Sequence, residues 1–337
     1  MTSEEKKFTI TDAIGREVSI KNNPRNIIIA GRQTPMLTHF IYLFETAKDR
    51  VAAIENRNQT SEDFISLIDK NISKKYLFEK GASVEQISPF DPDVVIMKTA
   101  MQKSVGLQLE EINIPVVYVN FESVEDFYRD ISIIGEVMGE SVRGNWLISE
   151  YEKMYDETKG LLDRQENQEL PSVLLIQVEK NDGTFVYSVP DSNWLQTDLV
   201  ERLDAVPIWK DQTQGGGWSE INFEQIAAWN ADYIFVINYQ AEAPQIVEEF
   251  KKDGLWSKLN AVKSGKIYPF IYDYICWDQP DPRWILAYDW LAYRLYPDLV
   301  SAEFVKMQIE YFFTTFYPID EEQVLSDMKA RLSVYFD

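Results

Sequence analysis

The sequence predicts an α/β protein of two Rossmann-like lobes, each a mainly parallel sheet with flanking helices, joined by one long rigid helix. Three observations support this prediction. Short continuous apolar runs alternate with stretches long enough for helices, which is typical of parallel strands buried on both faces. The alternation restarts in the second half of the chain, and an amphipathic stretch separates the halves. We therefore expect an N-terminal α/β lobe at 1–140, a connecting backbone helix at 141–169, and a C-terminal α/β lobe with closing helices at 170–337.

Composition narrows the possible functions. The 337 residues are 45% hydrophobic, which is enough for a large core, and the apolar runs have strand length, far below the roughly 18 residues of a membrane span. A net charge of −22 opposes binding to nucleic acid or anionic lipid. Cys276 is the only cysteine and His39 the only histidine, so intramolecular disulfides, cysteine–zinc sites and imidazole clusters are excluded. We expect His39 to be a packed helix residue.

The elements of the first half follow in order. Alternating stretches at 8–12 and 16–20 flank the turn Ala13-Ile14-Gly15, which predicts a small hairpin. After Pro24, the run 26–31 has the character of a buried parallel strand. Comparable runs predict three more strands, at 51–54, 94–97 and 116–119.

A long helix is predicted next. Apolar residues recur at three- and four-residue spacings from Trp146 to Leu162, and charged residues fill the other positions up to Gln168. Glu169-Leu170-Pro171 stops helical propagation. A stiff connector of this kind should limit relative movement of the lobes. The second lobe then has predicted strands at 173–176, 233–237 and 266–270.

An internal repeat links the two halves. Glu85 and Glu224 each lie in a Glu-Gln-Ile sequence, eight residues before an aspartate that leads into a buried strand. A Ser or Asn precedes each glutamate and can cap a short helix, whose dipole an early glutamate suits. Local helix stabilisation is the usual role of such a glutamate. Its duplication favours a functional role as well.

Three stretches resemble one known family. The opening 11–18 with 23–28, the paired Glu-Gln-Ile helices, and the C-terminal stretches 277–286 and 290–297 resemble the substrate-binding proteins of type II ABC importers. The resemblance implies an extracytoplasmic monomer, in the periplasm or as a cell-surface lipoprotein, that delivers ligand to a permease dimer with its ATPase subunits. The polar start at 1–7 is not a signal peptide, so we expect the leader to be absent from this sequence.

The resemblance also implies a ligand and a docking mode. Members of this family hold a metal chelate, such as a ferric siderophore, haem or a corrinoid like vitamin B12 (cobalamin), in the cleft between lobes. Any iron or cobalt would therefore arrive inside the ligand, and we expect no intrinsic cofactor and no metal site of the protein's own. One exposed glutamate per lobe pairs with arginines of the permease, and the matching positions are Glu85 and Glu224.

Ligand-binding residues are expected where strands end, because ligands of open α/β sheets lie outside the carboxyl ends of the strands. Basic side chains in one wall can meet an anionic edge, and aromatic side chains in the other can stack on its flat body. Ordinary loop chemistry is the alternative for each residue. The N-terminal candidates are Arg32, Gln33, Asn56, Arg57, Lys98 and Thr99, and the C-terminal candidates are Tyr187, Trp218, Tyr239, Tyr272 and Trp277, with Lys180 and Asn238 nearby.

Two other functions are alternatives. A molybdate or tungstate oxyanion could be held by neutral donors around Thr99 and the triglycine turn 215–217, although Trp218 and Trp277 favour a larger ligand. That turn lacks the spacing of nucleotide-binding loops, and we interpret it as room for backbone beside a ligand. A chelatase or hydrolase is the enzymatic alternative. With no Gly-x-Ser-x-Gly motif and no Cys/His pair, we expect the protein not to be an enzyme.

Overall fold

The computed structural model describes residues 6–57, 63–162, 169–213, 215–317, 319 and 322–336. The strands are β1 (Lys7–Thr11), β2 (Glu17–Lys21), β3 (Ile27–Ile29), β4 (Val51–Glu55), β5 (Tyr76–Phe78), β6 (Val94–Lys98), β7 (Val116–Val119), β8 (Ser172–Asn181), β9 (Thr184–Val189), β10 (Val206–Pro207), β11 (Ser219–Ile221), β12 (Tyr233–Ile237) and β13 (Ile267–Pro269). The helices are α1 (Thr34–Ile41), α2 (Ala47–Arg50), α3 (Ile65–Ile68), α4 (Val84–Ile87), α5 (Leu107–Glu111), α6 (Val124–Val137), α7 (Ser141–Leu161), α8 (Leu195–Arg202), α9 (Phe223–Trp229), α10 (Ala243–Lys252), α11 (Asn260–Lys263), α12 (Trp284–Leu295), α13 (Ala302–Thr315) and α14 (Glu322–Leu332).

The chain forms two compact units. Unit 1 comprises Met1–Glu152 and Thr315–Ile319, and unit 2 comprises Lys153–Thr314 and Asp320–Asp337. The division falls inside α7, whereas the sequence predicts boundaries at the ends of a helix spanning 141–169. The helix ends at Leu161, and residues 163–168 of the predicted helix lie outside the described residues. A distant C-terminal segment also packs with unit 1, which local sequence patterns do not reveal.

Unit 1 is built on a five-stranded sheet in the order β5-β4-β3-β6-β7, and each pairing is parallel. Every residue of β3, β6 and β7 is buried, which is why these strands appear as unbroken apolar runs. The predicted hairpin is β1–β2, paired antiparallel from Lys7↔Lys21 to Thr11↔Glu17. The edge strand β5 was not predicted, because Tyr76 and Leu77 are exposed and the strand has only three residues.

Unit 2 is built on a mixed sheet in the order β11-β9-β8-β12-β13, with β10 pairing β8. β12 lies parallel to both β8 and β13, whereas β9 is antiparallel to β8 and to β11. Strands β8, β12 and β13 are those the sequence predicts, whereas the two-residue β10, which is also parallel to β8, was not predicted. The α/β fold class with flanking helices is confirmed, and the antiparallel additions are short strands whose side chains are largely half-buried or exposed.

Charged groups are buried beside α12 in unit 2. Arg283 is 0% exposed, and its guanidinium bridges two carboxylates, with Nε 2.8 Å from Asp273 Oδ2 and Nη1 2.8 Å from Asp281 Oδ1. Asp289 on α12 accepts a hydrogen bond from Thr158 Oγ1 of α7 at 2.6 Å. Burial raises the pKa of Asp289 to about 8. These contacts tie the loop before α12, and α12 itself, into the core of the unit.

Candidate functional site

The carboxyl edge of the unit 1 sheet gathers the predicted N-terminal candidates. Strand order reverses between β3 and β6, and such a switch point is where open α/β sheets bind ligands. Arg32 and Gln33 follow β3, and Lys98 and Thr99 mark the end of β6. Asn56 and Arg57 follow β4, the neighbour of β3 on its other side. The parallel topology therefore brings the ends of these three strands to one edge.

Glu55 organises this edge. Its Oε2 accepts the Gly31 N–H at 2.7 Å, and its Oε1 accepts the Gly81 N–H at 2.8 Å, so one carboxylate joins the loops after β3 and β5. Arg57 Nε lies 2.6 Å from Glu55 Oε1. The charge of Arg57 is thus partly balanced within the protein. Asn56 is exposed, and its N–H is donated to Phe78 O at 2.8 Å.

Lys98 is also paired. Its side chain is 5% exposed, and Nζ lies 2.8 Å from Glu122 Oε1. Thr99 donates its hydroxyl hydrogen to Asn120 Oδ1 at 2.8 Å. Two of the predicted polar ligand contacts therefore serve local structure at the end of β6, and the net charge that Lys98 offers a ligand is reduced.

Arg32 differs from the other two cations. It is exposed, and within the described part of the chain it forms no ion pair or hydrogen bond through its guanidinium. The backbone around it is constrained: Gly31 has φ +101°, and a Cβ there would lie 2.6 Å from Met101 Cγ, while Gln33 has φ +57° as the N-cap of α1. Arg32 is thus an uncompensated positive charge held at the switch point of the sheet.

Unit 2 carries an aromatic group, which we define as Trp194, Trp218 and Tyr239. The Trp218 ring centroid lies 5.8 Å from that of Trp194 and 6.3 Å from that of Tyr239, both in edge-on contacts. All three residues are half-buried. The triglycine turn before Trp218 is anchored, because Gly216 donates its N–H to the buried Asp191 Oδ2 at 2.6 Å.

A buried carboxyl contacts this aromatic group. Asp278 Oδ2 accepts hydrogen bonds from the Tyr239 hydroxyl at 3.0 Å and from Gln196 Nε2 at 3.1 Å, and Asp278 is 0% exposed. Burial raises the pKa of Asp278 to about 6, although hydrogen bonds from Cys276, Gln196 and Tyr239 oppose the rise. Burial, and then the Asp278 charge, raise the pKa of the Tyr239 phenol well above its usual value. The Tyr239 hydroxyl is therefore a neutral donor directed at Asp278.

The raised pKa predicts a pH-dependent stability. An aspartate in an unfolded chain titrates near pH 4, so ionisation of Asp278 in the folded protein opposes folding. The free-energy cost of ionising Asp278 in the folded protein is absent below about pH 4 and grows as the pH rises to about 6. Above that pH it is on the order of 2–3 kcal/mol. We expect Asp278→Asn to gain stability over wild type across that interval, as measured by urea unfolding from pH 4 to 9.

The Asp289→Asn variant is the matched control for this titration. Because the pKa of Asp289 is about 8, its gain over wild type should continue to grow up to about pH 8. A stability difference between Asp278→Asn and wild type that does not change from pH 4 to pH 6 would contradict the assignment.

The remaining C-terminal candidates contact residues outside the aromatic group. Tyr187 packs against Phe250 and Trp256, with ring centroids 6.2 Å and 5.7 Å away. Tyr272 is buried, and its hydroxyl donates to Tyr274 O at 3.3 Å. Trp277 is fully buried, and its Nε1 has no hydrogen-bond partner among the described residues. Lys180 pairs with Glu249 at the surface, and Asn238 Nδ2 donates to Val178 O at 2.9 Å.

Sequence reasoning missed three contributors to the unit 2 site. Trp194 and Gln196 belong to the start of α8, after an antiparallel strand that was not predicted, so the strand-end rule did not select them. Asp278 lies in the selected loop 272–278 but was passed over in favour of its aromatic neighbour Trp277. The available signal in the sequence was an aspartate that lies between a tryptophan and a stretch with two prolines.

The repeated glutamates occupy equivalent places in their own units. Ser83 and Gln86 form a capping box around α4, and Asn222 and Gln225 form one around α9. Each glutamate is the second residue of its helix and is exposed. The hydrogen bond from Ser83 lowers the pKa of Glu85. Both units therefore present an acidic side chain on a capped helix.

The described ranges also bear on metal and membrane sites. Among those residues, no group of three or more His, Cys, Asp or Glu side chains is placed to hold a metal ion. The helices described there include none with the length and apolarity to cross a bilayer. His39 is buried on α1 with its ring edge-on to Phe64, at a centroid distance of 5.3 Å. Its position agrees with a packed helix residue.

Known proteins resemble this chain in sequence and fold. The Fe(3+)-citrate-binding protein YfmC of Bacillus subtilis is 24% identical over 187 residues, covering 55% of this chain and 56% of that protein. The molybdate-binding protein MolA of Haemophilus influenzae is 20% identical over 336 residues, covering 91% and 90%. The chain thus spans little more than half of the iron-citrate relative. A solved periplasmic solute binding protein of Veillonella parvula superposes with TM-score 0.78 at 20% identity, covering 98% of each chain.

The family assignment rests on a match to a family model. The family model described as periplasmic binding protein matches residues 69–270, which include β5 to β13 and both glutamate-bearing helices. MolA bound to molybdate also superposes, with TM-score 0.71 over 92% of this chain and 98% of that one, at 18% identity. The fold of two α/β units agrees with these structures. The chain therefore belongs to the periplasmic binding protein family, whose members are solute-binding transport proteins.

Proposed function

We propose that this protein is the extracytoplasmic substrate-binding component of an ABC importer and that it captures an anionic iron chelate without chemical turnover. The observation that carries the proposal is the uncompensated Arg32 at the switch point of unit 1. An arginine guanidinium suits carboxylate or hydroxamate oxygens, which surround ferric iron in chelates such as ferric citrate. YfmC, which resembles part of this chain, binds ferric citrate according to its name.

The aromatic group supports an organic ligand larger than a simple oxyanion. Trp194, Trp218 and Tyr239 are half-buried aromatic residues in mutual contact, and aromatic rings can pack on the carbon skeleton of a chelator. Asp278 makes the same surface unfavourable for a second anionic group above about pH 6. The unit 2 surface therefore suits a neutral organic group rather than a second anion.

Molybdate or tungstate is the second candidate. The match to MolA extends over 91% of this chain, much further than the match to the iron-citrate relative. An oxyanion would also use Arg32 but would gain little from the aromatic group. The corrinoid ligand and the lipid anchor, which the family resemblance implies, remain predictions.

Native mass spectrometry distinguishes these ligands. The protein would be incubated with equimolar ferric citrate, a ferric hydroxamate, haem, cobalamin and molybdate, and the bound mass read directly. We expect one iron chelate to be retained and released unchanged. Retention of molybdate alone would favour the second candidate, and conversion of any chelate to a product would contradict a binding function.

Arg32 should dominate the charge recognition. We expect Arg32→Ala to weaken binding of the retained chelate by roughly 5- to 100-fold, because a charge-assisted hydrogen bond contributes about 1–3 kcal/mol. Arg57→Ala and Lys98→Ala should have smaller effects, since Glu55 and Glu122 already balance those charges. Isothermal titration calorimetry provides the measurement.

Arg25→Ala is the matched control for Arg32→Ala. Arg25 is also exposed but precedes β3, at the opposite end of the same strand. It should leave chelate affinity unchanged. Equal losses from both arginines would indicate a general charge effect, and no loss from Arg32→Ala would place the anionic edge of the ligand elsewhere.

The proposed partner is a permease dimer with its ATPase subunits. Glu85 and Glu224 are exposed, sit at the same position of equivalent capped helices, and offer negative charge to basic residues of a two-fold partner. Paired charges of this kind set the register of a complex more than its affinity.

A further inference from the structure

A duplicated carboxylate follows each glutamate-bearing helix. In unit 1 the residue six positions after Glu85, Asp91, is left-handed with φ 46°, and Asp93 then leads into β6. In unit 2 the residue six positions after Glu224, Asn230, is also left-handed with φ 46°, and Asp232 leads into β12. The chain path from glutamate to strand is therefore the same in both units.

Asp93 joins the starts of two neighbouring strands. Its Oδ2 accepts the N–H groups of Arg25 at 2.7 Å and Asn26 at 3.0 Å, immediately before β3, the parallel partner of β6. The Asn26 side chain adds two hydrogen bonds, because its Nδ2 donates to Phe90 O at 2.5 Å and to Asp91 O at 3.0 Å. The turn that ends α4 is thus fastened to the central strand of the sheet.

Asp232 makes the equivalent connection in unit 2. Its Oδ2 accepts the Ser172 N–H at 2.9 Å and the Ser172 hydroxyl at 2.6 Å, at the first residue of β8, the parallel partner of β12. Ser172 Oγ in turn accepts the Asp232 N–H at 2.9 Å. Asn230 Oδ1 adds a contact by accepting the Asn260 N–H at 2.9 Å.

We propose that Asp93 and Asp232 are positioning residues for permease docking, each fixing the helix that presents Glu85 or Glu224 relative to the central strands of its own unit. The inference rests on the proposed docking function. Helices α4 and α9 have four and seven residues, and the carboxylate holds the chain that follows each of them to the start of a neighbouring strand. A charged side chain that must pair with a partner at a fixed position pairs less well when the residues that position it are removed.

The test compares alanine with asparagine at each aspartate. In both units a single oxygen, Oδ2, accepts the two strand-end hydrogen bonds, so the amide oxygen of asparagine can replace it and alanine cannot. The measurement is the Kd of the ligand-free protein for proteoliposomes holding the permease. We expect Asp93→Ala and Asp232→Ala to weaken docking at least threefold, and Asp93→Asn and Asp232→Asn to restore most of it.

A double-mutant cycle separates positioning from general destabilisation. If Asp93 acts through Glu85, Asp93→Ala should change docking less than about twofold in a Glu85→Gln background but retain its full effect in a Glu224→Gln background. The reverse pattern should hold for Asp232→Ala. Equal additional losses in both backgrounds would overturn the proposal, as would full docking by the alanine variants.

A second variant in unit 1 and the two glutamate variants separate failure of the positioning role from failure of the docking function. If Asp93→Ala fails to fold, Asn26→Ala, which removes the two side-chain bonds to the α4 turn and keeps Asp93, should show the same selective coupling to Glu85. The absence of this selective coupling in Asn26→Ala would again overturn the proposal. If Glu85→Gln and Glu224→Gln themselves dock normally, the proposed docking function fails, whereas normal docking of only the alanine variants rejects the positioning role alone.

Discussion

Reversal of the charge at Glu85 or Glu224 is expected to reduce transport by on the order of a hundredfold while leaving ligand affinity intact. Placing lysine opposite basic permease residues brings like charges together, which costs several kcal/mol. Both glutamates are exposed, so folding should change by no more than about 0.5 kcal/mol. Uptake into permease proteoliposomes, together with calorimetric ligand affinity, measures the two effects separately.

The controls for this prediction are matched in charge. Glu136→Lys changes an exposed glutamate on α6 and shifts the net charge of −22 by the same two units. Uptake should be normal for this variant. The defect of Glu85→Lys should shrink as salt is raised, because exposed charges are screened beyond roughly 8–10 Å at physiological ionic strength. Normal uptake by both lysine variants, or a loss of ligand affinity, would reject docking by these residues.

Removal of Arg283 is expected to cause the largest loss of stability, about 3–5 kcal/mol for Arg283→Met. The guanidinium is fully buried between Asp273 and Asp281, and methionine would leave two carboxylates without their counter-charge. Total stability of a domain is about 5–15 kcal/mol, so the variant should approach unfolding. Urea denaturation at pH 7 measures the difference, and the midpoint rather than the slope should move.

Two comparisons identify the cause of that loss. Arg202→Met breaks a pair with Asp198 whose side chains are 23% and 28% exposed, and it should cost no more than about 1 kcal/mol. Asp273→Asn and Asp281→Asn, added to Arg283→Met, should recover part of the stability by removing the stranded charges. A loss that persists unchanged in the triple variant would mean that packing, not charge, is responsible. Because this cluster closes the loop that carries Asp278, Arg283→Met should also weaken ligand binding.

The sequence determined which segments become the central strands and helices. Buried runs such as 94–97 and 233–237 need no knowledge of their neighbours, because a strand covered on both faces must be apolar throughout. The capped helices of Glu85 and Glu224 were equally predictable, since a capping box is formed by residues three positions apart. The small hairpin is likewise a local pattern. These elements, with the family resemblance, were sufficient to predict the fold class.

The tertiary structure decided which of the predicted site residues are available to a ligand. Arg32, Arg57 and Lys98 are equivalent in the sequence, but the carboxylates that pair with Arg57 and Lys98 are positioned by the sheet, and only Arg32 is left exposed without an ion pair in the described structure. The aromatic group likewise combines α8, the loop before β11 and the end of β12. Burial of Asp278, which raises its pKa, also depends on these distant segments. Ion pairing and burial depend on residues that are close in space but distant in the sequence, so local sequence patterns do not predict them.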